Sequence, residues 1–212
     1  MISEKTIERL SQYRHFLREF LKENVDHVSS STLAERCHGQ SAQVRRDLME
    51  MGYRGKSTRG YDVEDLLAAI GSYLDRPGGE KVALCGIGNL GRALLTYFQG
   101  SLSNLQVVAA FDRDPHKTGR VIHGCRCFDI EMVEKVIAEQ GIQVAVIAVP
   151  GPDAQRVADR LFAAGIKGLL NFAPTPVRVP PKTYVEHMDM TMALEKVSFF
   201  TRQLAPVRGA PK

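Results

Sequence analysis

The stretch "VALCGIGNLGRALLTYF", from Val82 to Phe98, decides the fold of this chain. An apolar run leads through three glycines, Gly86, Gly88 and Gly91, into an amphipathic segment, which is the order of a strand, a glycine-rich turn and a helix. In such a turn the first glycine allows a tight bend, the second lets a phosphate approach the backbone, and the third lets helix and strand pack closely. The stretch therefore predicts a nucleotide site at the helix N-terminus, the alternative being a glycine turn without a ligand.

The sequence "AAFDRD" supplies the acidic residue of a dinucleotide site. Asp112 follows Gly91 by about 20 residues, at the end of the next apolar run, where a carboxylate can accept hydrogen bonds from ribose hydroxyls. The same carboxylate repels a 2′-phosphate, so NAD(H) is favoured over NADP(H), although Arg113, itself a predicted contact, follows directly. The further predicted cofactor contacts are Ile87, Asn89 and Leu90 in the glycine turn, with Val149 and Pro150 after a later strand.

Beyond residue 80, short and nearly continuous apolar runs alternate with amphipathic segments. Such runs are typical of strands that are buried on both faces. The alternation predicts an α/β fold with a doubly wound parallel sheet, the Rossmann architecture. The predicted strands are Val82–Cys85, Val107–Phe111, Val144–Val149 and Gly168–Phe172, and the predicted helices are Leu90–Phe98, Glu131–Gln140 and Asp153–Ala164.

The first part of the chain has a purely helical pattern. Apolar residues recur at helical spacing from Thr6 to Asn24. Two short helices follow: one is capped within Ser29–Thr32, where Thr32 and Glu35 fit a capping box, and the other is capped by Ser41 and ends near Met51. Because a tight turn separates them, the pattern predicts a helix-turn-helix.

The basic segment "YRGKSTRGYD", residues 53–62, contains two glycines and predicts a tight hairpin, the wing of a winged helix. Asp62 then caps a further helix. Proline and two glycines in "DRPGGE", residues 75–80, mark a domain boundary. We therefore expect a winged helix-turn-helix domain over residues 1–78, a Rossmann domain over 79–187 and a separate C-terminal helical segment over 188–212.

Basic residues cluster between Arg36 and Arg59, where Asp47 and Glu50 are the only acidic residues. In a winged helix the second short helix enters the major groove of DNA, and the wing contacts the backbone or the minor groove. Arginine can pair with guanine and glutamine with adenine, whereas a serine suits a phosphate. The alternative is a protein-interaction bundle with solvated arginines. The predicted DNA contacts are Ser41, Gln43, Arg45, Arg46, Lys56, Ser57, Thr58, Arg59, Gly60 and Tyr61.

Composition narrows the class of protein. The formal net charge is +4, and no apolar run approaches the roughly 18 residues of a membrane helix. The charged start "MISEKTIERL" lacks the apolar region of a signal peptide, so we expect a cytoplasmic protein without membrane contact. The four cysteines lack zinc-ligand spacing, so no metal site is predicted. Cys125 and Cys127 are expected to be reduced thiols, with a redox pair as the alternative.

The ordered set "RLSQYRHFL", "VSSSTLAE", "VRRDL", "GYDVEDLL", "GIGNLGRALLTY", "FDRDPHKTGR", "VAVIAVP", "GIKGLLNFAP" and "HMD" resembles the redox-sensing transcriptional repressor Rex family over nearly the whole chain. The resemblance implies a homodimer that binds inverted-repeat operator DNA and releases it when NADH occupies the Rossmann domain. Two departures, "MEMG" after the recognition helix and the less glycine-rich wing "GKSTRGY", concern the operator sequence more than DNA binding itself.

The resemblance also implies that the C-terminal helix is exchanged between subunits. This agrees with the segment Asp189–Leu204, which is apolar on more than one side and is expected to pack outside its own domain. By resemblance, Tyr97 pairs with Asp189 across the dimer, and Met190 reaches toward the partner's nicotinamide.

The rival function is an NAD-dependent dehydrogenase, which needs an acid or base beside the nicotinamide. None of the six tyrosines has a lysine four residues later, and His116, His123 and His187 show no carboxylate–histidine pattern. We therefore predict an NADH-responsive repressor without catalytic residues. The remaining alternative is a winged-helix regulator that senses another nucleotide.

Overall fold

Residues 2–55, 59–99 and 104–204 are described by the computed structural model, in which the chain divides into the units Met1–Gly78 and Gly79–Lys212. The division falls between two glycines, Gly78 and Gly79, that both have positive φ, +85° and +81°. Residues with a Cβ rarely adopt this left-handed conformation, so the backbone at this boundary favours glycine at both positions.

The N-terminal unit is helical. Its helices are α1 (Glu4–Lys22), α2 (Ser30–Arg36), α3 (Ser41–Glu50) and α4 (Val63–Leu74). Side chains at helical spacing form one buried core, because each helix turns an apolar face inward. The core includes Leu10, Tyr13, Leu17, Leu33, Val44, Leu48, Leu66 and Ile70.

The helix starts partly follow the sequence prediction. Asp62 caps α4 as expected, with its carboxylate accepting the Asp65 N–H at 2.8 Å. The cap of α2 is Ser29, which accepts the Thr32 N–H at 3.0 Å, so the capping box predicted at Thr32 is wrong. Ser41 is not a cap either, since it is the first residue of α3.

The strand at the predicted wing has a different partner. Strand β2 (Tyr61–Asp62) pairs antiparallel with β1 (His27–Val28), which precedes α2, and not with residues 53–55. A Cβ at Gly60 would lie 2.5 Å from the Val28 carbonyl oxygen, so this pairing requires a glycine there. Within the described residues the hairpin prediction is therefore wrong in its pairing. Lys56, Ser57 and Thr58 lie outside the described residues.

The second unit confirms the doubly wound sheet. Its strands in spatial order are β5 (Val121–Ile122), β6 (Cys125–Asp129), β4 (Leu105–Asp112), β3 (Glu80–Cys85), β7 (Val144–Ile147), β8 (Gly168–Asn171) and β9 (Tyr184–His187). All described pairs are parallel except β5 with β6. The helices are α5 (Asn89–Gln99), α6 (Val133–Gln140) after a 3₁₀ turn (Ile130–Met132), α7 (Gly151–Ala163) and α8 (Met190–Leu204).

Three strands of this sheet were missed from the sequence. β6 has the pattern "CRCFD", in which exposed Arg126 separates two buried cysteines, and β5 and β9 are short outer strands with mostly exposed side chains. None of these segments has the continuous apolar run of the central strands, because none is covered on both faces.

Helix α8 differs from the other helices in exposure. Its described side chains are all exposed in the single chain. The large apolar ones are between 51% and 69% exposed: Met190, Met192, Leu194, Val197, Phe199 and Phe200. So many large apolar side chains exposed on one helix indicate an interaction site.

Candidate functional site

A cavity of about 250 Å³ lies where the chain reverses direction through the sheet, since β4 and β6 extend to one side of β3 and β7 and β8 extend to the other. Ligands of open α/β sheets bind at such a switch point, beyond the carboxyl ends of the strands. The cavity is lined by Gly86, Gly88, Phe111, Asp112, Arg113, Lys117, Ile130, Ala148, Val149, Pro150, Asp153, Arg156 and Val157.

A different physical cause explains why glycine stands at each of the three positions of the turn. Gly86 has a φ of +95°, and a Cβ there would lie 2.6 Å from the Ala148 carbonyl oxygen. A Cβ at Gly91 would overlap the Gly86 carbonyl oxygen. Gly88, by contrast, lines the cavity, and a Cβ there would have no heavy atom within 4 Å. The packing inside the protein therefore explains Gly86 and Gly91, whereas Gly88 leaves space for a ligand.

The N-terminus of α5 supplies donors beside this space. At the start of this helix the Arg92 N–H donates to the Gly88 carbonyl at 3.0 Å. The N–H groups of the preceding turn have no intrahelical acceptor, and with the helix dipole they attract a phosphate. The turn therefore fits the pyrophosphate of a dinucleotide.

Asp112 is held at the end of β4 as a carboxylate. Its oxygens accept the Ile87 N–H at 2.7 Å, the Asp114 N–H at 2.9 Å and the Lys117 ammonium at 3.1 Å. Burial alone would raise the pKa of Asp112, but these hydrogen bonds outweigh burial and hold the pKa below its ordinary value. Three acceptor positions are thus in use, which leaves about one of the roughly four lone-pair sites for a ribose hydroxyl.

Charged side chains that the sequence prediction did not include also line the cavity. Asp153 in the first turn of α7 pairs with Arg113 at 3.2 Å and with Arg156 at 3.1 Å, and Lys117 pairs with Asp112. A signal for Asp153 and Arg156 was present in the sequence, because both lie in a helix that begins directly after a predicted strand. Lys117 had no comparable signal.

The remaining predicted cofactor residues fall into two groups. Asn89 and Leu90 begin α5, next to the cavity-lining Gly88. Neither these two residues nor Ile87, between Gly86 and Gly88, is among the residues lining the cavity, and Tyr97, Asp189 and Met190 are not among them either. Tyr97 is 71% exposed on α5, and Met190 is 59% exposed. Asp189 caps α8 by accepting the Met192 N–H at 2.8 Å. Their predicted roles involve a partner subunit and stay predictions.

The predicted DNA-reading helix, α3, presents two arginines outward. Arg45 and Arg46 are both exposed, and Arg45 donates to the Ser30 hydroxyl at 3.0 Å. Ser41 is partly buried at the helix start. Gln43 also has a contact within the protein, because its amide nitrogen donates to Asp47 at 2.7 Å, and its predicted contact with DNA stays a prediction. This bond uses one of the two N–H groups of the amide, so a second N–H and the amide oxygen remain for pairing with adenine.

Asp47 joins α3 to α1. This fully buried carboxylate accepts hydrogen bonds from Arg9 Nε at 2.6 Å, from Arg9 Nη2 at 2.7 Å and from the Tyr13 hydroxyl at 2.8 Å. Burial raises the pKa of Asp47, but the hydrogen bonds from Arg9, Gln43 and Tyr13 outweigh burial and lower it. The contact is a bidentate charge-assisted pair, and it sets the orientation of α3 on α1.

Beyond α3, Arg59 is exposed, Gly60 lies against β1, and Tyr61 is partly buried beside Tyr53, with ring centroids 6.1 Å apart. A Cβ at Gly55 would lie 2.9 Å from the Tyr61 ring. Tyr61 therefore contributes to packing, whereas Arg59 lies on the surface.

The cysteines have the character of core side chains. Burial raises the pKa of both Cys125 and Cys127 to about 11, so both thiols are protonated at neutral pH. Thiolates are the reactive form, so this environment disfavours redox chemistry at the pair. In the described part of the chain, no group of three or more His, Cys, Asp or Glu side chains is arranged to hold a metal ion.

Comparisons with known proteins cover both units. Residues 79–175 match the family model described as "CoA binding domain", and residues 1–48 match the one described as "Putative DNA-binding protein N-terminus". A redox-sensing transcriptional repressor Rex of Listeria welshimeri is 37% identical over 94% of this chain and 93% of its own length. The Rex of Chloroflexus aurantiacus is 41% identical over 92% of each chain. The chain belongs to the Rex family of redox-sensing transcriptional repressors.

Solved structures of a Rex-family repressor are also similar to this chain. The crystal structure of RSP in complex with β-NAD⁺ and operator DNA has a TM-score of 0.88 at 32% identity and covers 96% of this chain and 94% of that one. RSP in complex with β-NADH has a TM-score of 0.84 and covers 96% and 95%. RSP is itself a Rex-family repressor.

Membership of the Rex family decides between repressor and dehydrogenase. The matched relatives are named repressors, so this chain is a transcriptional regulator and not an enzyme. Of the helices in the described ranges, none combines the length and the apolar character that spanning a bilayer requires.

Proposed function

We propose that this Rex-family protein is a cytoplasmic, homodimeric repressor that binds inverted-repeat operator DNA and releases it when NADH binds. The observation that carries the proposal is the similarity along the whole chain to RSP, which has been solved with NAD⁺ and operator DNA and with NADH. Residues 1–78 would bind DNA, residues 79–187 the cofactor, and residues 188–212 would provide the exchanged helix.

The cavity at the glycine turn supports the cofactor part of this proposal. Gly88 and the N-terminus of α5 would hold the pyrophosphate, and the Asp112 carboxylate would accept a ribose hydroxyl and disfavour a 2′-phosphate. Val149 and Pro150 would contact the cofactor from the loop between β7 and α7. These contacts would bind the cofactor without reacting with it, because a sensor must distinguish NADH from NAD⁺ and must not convert one into the other.

The exposed surface of α3 supports the DNA part. Arg45 and Arg46 would reach base edges or phosphates, and Ser41 would contact a phosphate. Arg59 and Lys56 would contact the DNA backbone from the segment after α3. Gln43 would help to position α3 through its bond to Asp47.

Helix α8 supports the dimer. Six large apolar side chains between 51% and 69% exposed are unfavourable in a free monomer and would be buried by exchange of this helix with a partner subunit. Burial of apolar area contributes about 25 cal/mol per Å², so this surface alone favours association.

Release of DNA requires a difference in affinity between two states of the dimer. NADH must bind the DNA-incompetent state better than the DNA-competent one, since a ligand with equal affinity shifts nothing. A typical coupling is about 1–3 kcal/mol per site, and two sites approach the roughly 5.5 kcal/mol that moves an equilibrium from 1:99 to 99:1. A small rotation suffices, because two recognition helices must match half-sites about 34–36 Å apart.

The test is a titration of the operator complex. DNA selected from a random library without nucleotide serves as the probe, and NADH, NAD⁺, NADPH and ATP are added separately in a mobility-shift assay. We expect inverted-repeat DNA to be selected and NADH to release it at the lowest concentration. Release by none of these nucleotides would overturn the proposal.

A second candidate is sensing of another adenine nucleotide. The match of residues 79–175 to a model described as "CoA binding domain" favours including coenzyme A in the same titration. Release by coenzyme A at lower concentration than by NADH would replace the proposed ligand and leave the DNA-binding part of the proposal intact.

A further inference from the structure

A fully buried polar side chain, Asn171, lies at the carboxyl end of β8. Its amide nitrogen donates to the Thr175 carbonyl at 2.9 Å and to His187 Nδ1 at 3.1 Å, and its side-chain oxygen accepts the Ala173 N–H at 3.0 Å. Its backbone carbonyl accepts the Met188 N–H at 2.8 Å. One residue thus joins the loop after β8 to the end of β9.

The loop after β8 is fastened to α7. The Thr175 hydroxyl lies so close to Gly151 that a Cβ there would be 2.6 Å from Oγ1. Gln155 accepts the Arg178 N–H at 2.8 Å and donates to the Arg178 carbonyl at 3.2 Å. The first turns of α7 therefore contact this loop on one side and, through Asp153 and Arg156, line the dinucleotide cavity on another.

A second set of hydrogen bonds connects Asn171 with the residues that precede α8. His187 and Met188 immediately precede Asp189, whose carboxylate caps α8 by accepting the Met192 N–H. The Asn171 amide has only N–H groups to offer His187 Nδ1, so that nitrogen is the acceptor. The start of α8, the helix with the exposed apolar surface, is thus tied to Asn171 by two hydrogen bonds.

We propose that Asn171 is a positioning residue that couples the dinucleotide cavity to helix α8, with Thr175 as its contact to the cavity wall and His187 as its contact to the helix. A buried amide with all of its bonds satisfied has a single arrangement, because breaking any bond in the interior is costly. A displacement of α7 when the cavity fills is therefore passed on to the start of α8. This inference rests on the proposed function, since it assigns a route between its two sites.

The experiment measures a coupling factor, the ratio of the operator dissociation constants with saturating NADH and without nucleotide. His187→Ala removes the side-chain bond from Asn171 toward α8 at an exposed position. It leaves the Asn171–Thr175 bond and the bond from the Met188 N–H to the Asn171 carbonyl in place, so it tests the side-chain contact alone. Glu186→Ala is the matched control, because Glu186 is exposed on the same strand and contacts the Tyr184 hydroxyl at 3.0 Å. NADH affinity is measured separately by calorimetry.

We expect His187→Ala to reduce the coupling factor by at least about fivefold, the lower end of typical allosteric coupling, with NADH affinity and nucleotide-free operator affinity each within about twofold of wild type. Glu186→Ala should leave the coupling factor unchanged. Asn171→Ala should reduce it further, and adding His187→Ala to it should have little extra effect because the two residues share one contact.

A wild-type coupling factor with His187→Ala would overturn the inference and leave the proposed function standing. Loss of NADH binding or of operator binding by His187→Ala would also overturn it, because His187 would then belong to a site or to the fold itself. A wild-type protein that does not respond to NADH would instead overturn the proposed function.

Discussion

Gly88 has open space above it and needs no special backbone conformation to avoid a clash, so a side chain there would meet only the ligand. Gly88→Val should fold normally and lower NADH affinity by at least about tenfold, or about 1.4 kcal/mol, because its branched side chain would occupy the space of the pyrophosphate. Calorimetry measures the affinity, and an unchanged thermal unfolding temperature is the control. Wild-type NADH affinity in this variant would remove the cofactor from the glycine turn.

Asp112 combines two tasks, since its carboxylate holds the Ile87 N–H and faces the cavity. Asp112→Asn keeps an oxygen for that N–H and removes the negative charge, while Lys117 and Arg113 stay. The preference for NADH over NADPH should therefore narrow by about tenfold, or about 1.4 kcal/mol, because repulsion of the 2′-phosphate is lost. Competition between the two cofactors measures the ratio. An unchanged ratio would show that another group sets the preference.

Arg46 and Gln43 separate base reading from positioning on α3. Arg46 is exposed, so Arg46→Ala should weaken operator binding by about 1–3 kcal/mol and relax the preference at one base pair. Gln43 is bound to Asp47, so Gln43→Ala should weaken all operator variants alike without changing their order. Binding to a panel of single-base operator variants checks both. Relaxed specificity with Gln43→Ala would restore the role that the sequence alone indicates.

At the scale of elements, the contact between α1 and α3 depends on ionised Asp47. Asp47→Asn should lower the free energy of unfolding of the N-terminal unit by about 1–3 kcal/mol, because an amide cannot accept the hydrogen bonds of Arg9, Tyr13 and Gln43 together. The folded pKa of Asp47 lies below its unfolded value, so the stabilisation is full above about pH 4 and is lost as pH falls through the folded pKa.

Calorimetric unfolding at pH 7 and at pH 3 checks this linkage. The gap between wild type and Asp47→Asn should be full at pH 7 and smaller at pH 3, and Asp26→Asn, an exposed carboxylate in the same unit, is the control. A gap that stays constant between the two pH values would mean that the charge of Asp47 does not stabilise the fold.

The sequence predicts well those elements whose position is set by one local feature, either a continuous apolar run or a capping side chain. The strands around the glycine turn are buried on both faces, and their apolar runs fix type and position; Asp62 caps α4 because its side chain is three residues from the N–H it accepts. The sequence does not predict β6, because "CRCFD" alternates buried and exposed side chains in place of a continuous apolar run. It does not predict β1 either, because two residues are too few to show a periodicity. Two contacts could have been predicted, because Asp153 lies in the first turn of a helix that follows a predicted strand, and Gln43 and Asp47 are four residues apart on one helix. The Lys117–Asp112 contact could not, because it depends on the path of the loop after β4.

At the scale of the whole molecule, the proposed function predicts a contact between two subunits. From the family resemblance we expect Tyr97 on α5 and Asp189 before α8 to pair across the dimer, and both side chains are accessible: Tyr97 is 71% exposed, and Asp189 is partly exposed. Asp189 also caps α8, so its replacement by alanine would mix two effects. Asp189→Ser retains a capping oxygen and removes the carboxylate, and Tyr97→Phe removes only the hydroxyl.

Each single variant should raise the NADH concentration that releases operator DNA by about tenfold, because a hydrogen bond to a charged group contributes about 1.5–3 kcal/mol and we expect it to form in the NADH-bound state. Nucleotide-free operator affinity and dimerisation should persist. The double variant should be affected less than the sum of the single variants, since both remove one contact. Additive effects would exclude the pair. NADH oxidation by the wild-type protein that Tyr97→Phe abolishes would instead identify Tyr97 as a catalytic group, because a residue that only couples two sites changes the release concentration and converts no cofactor.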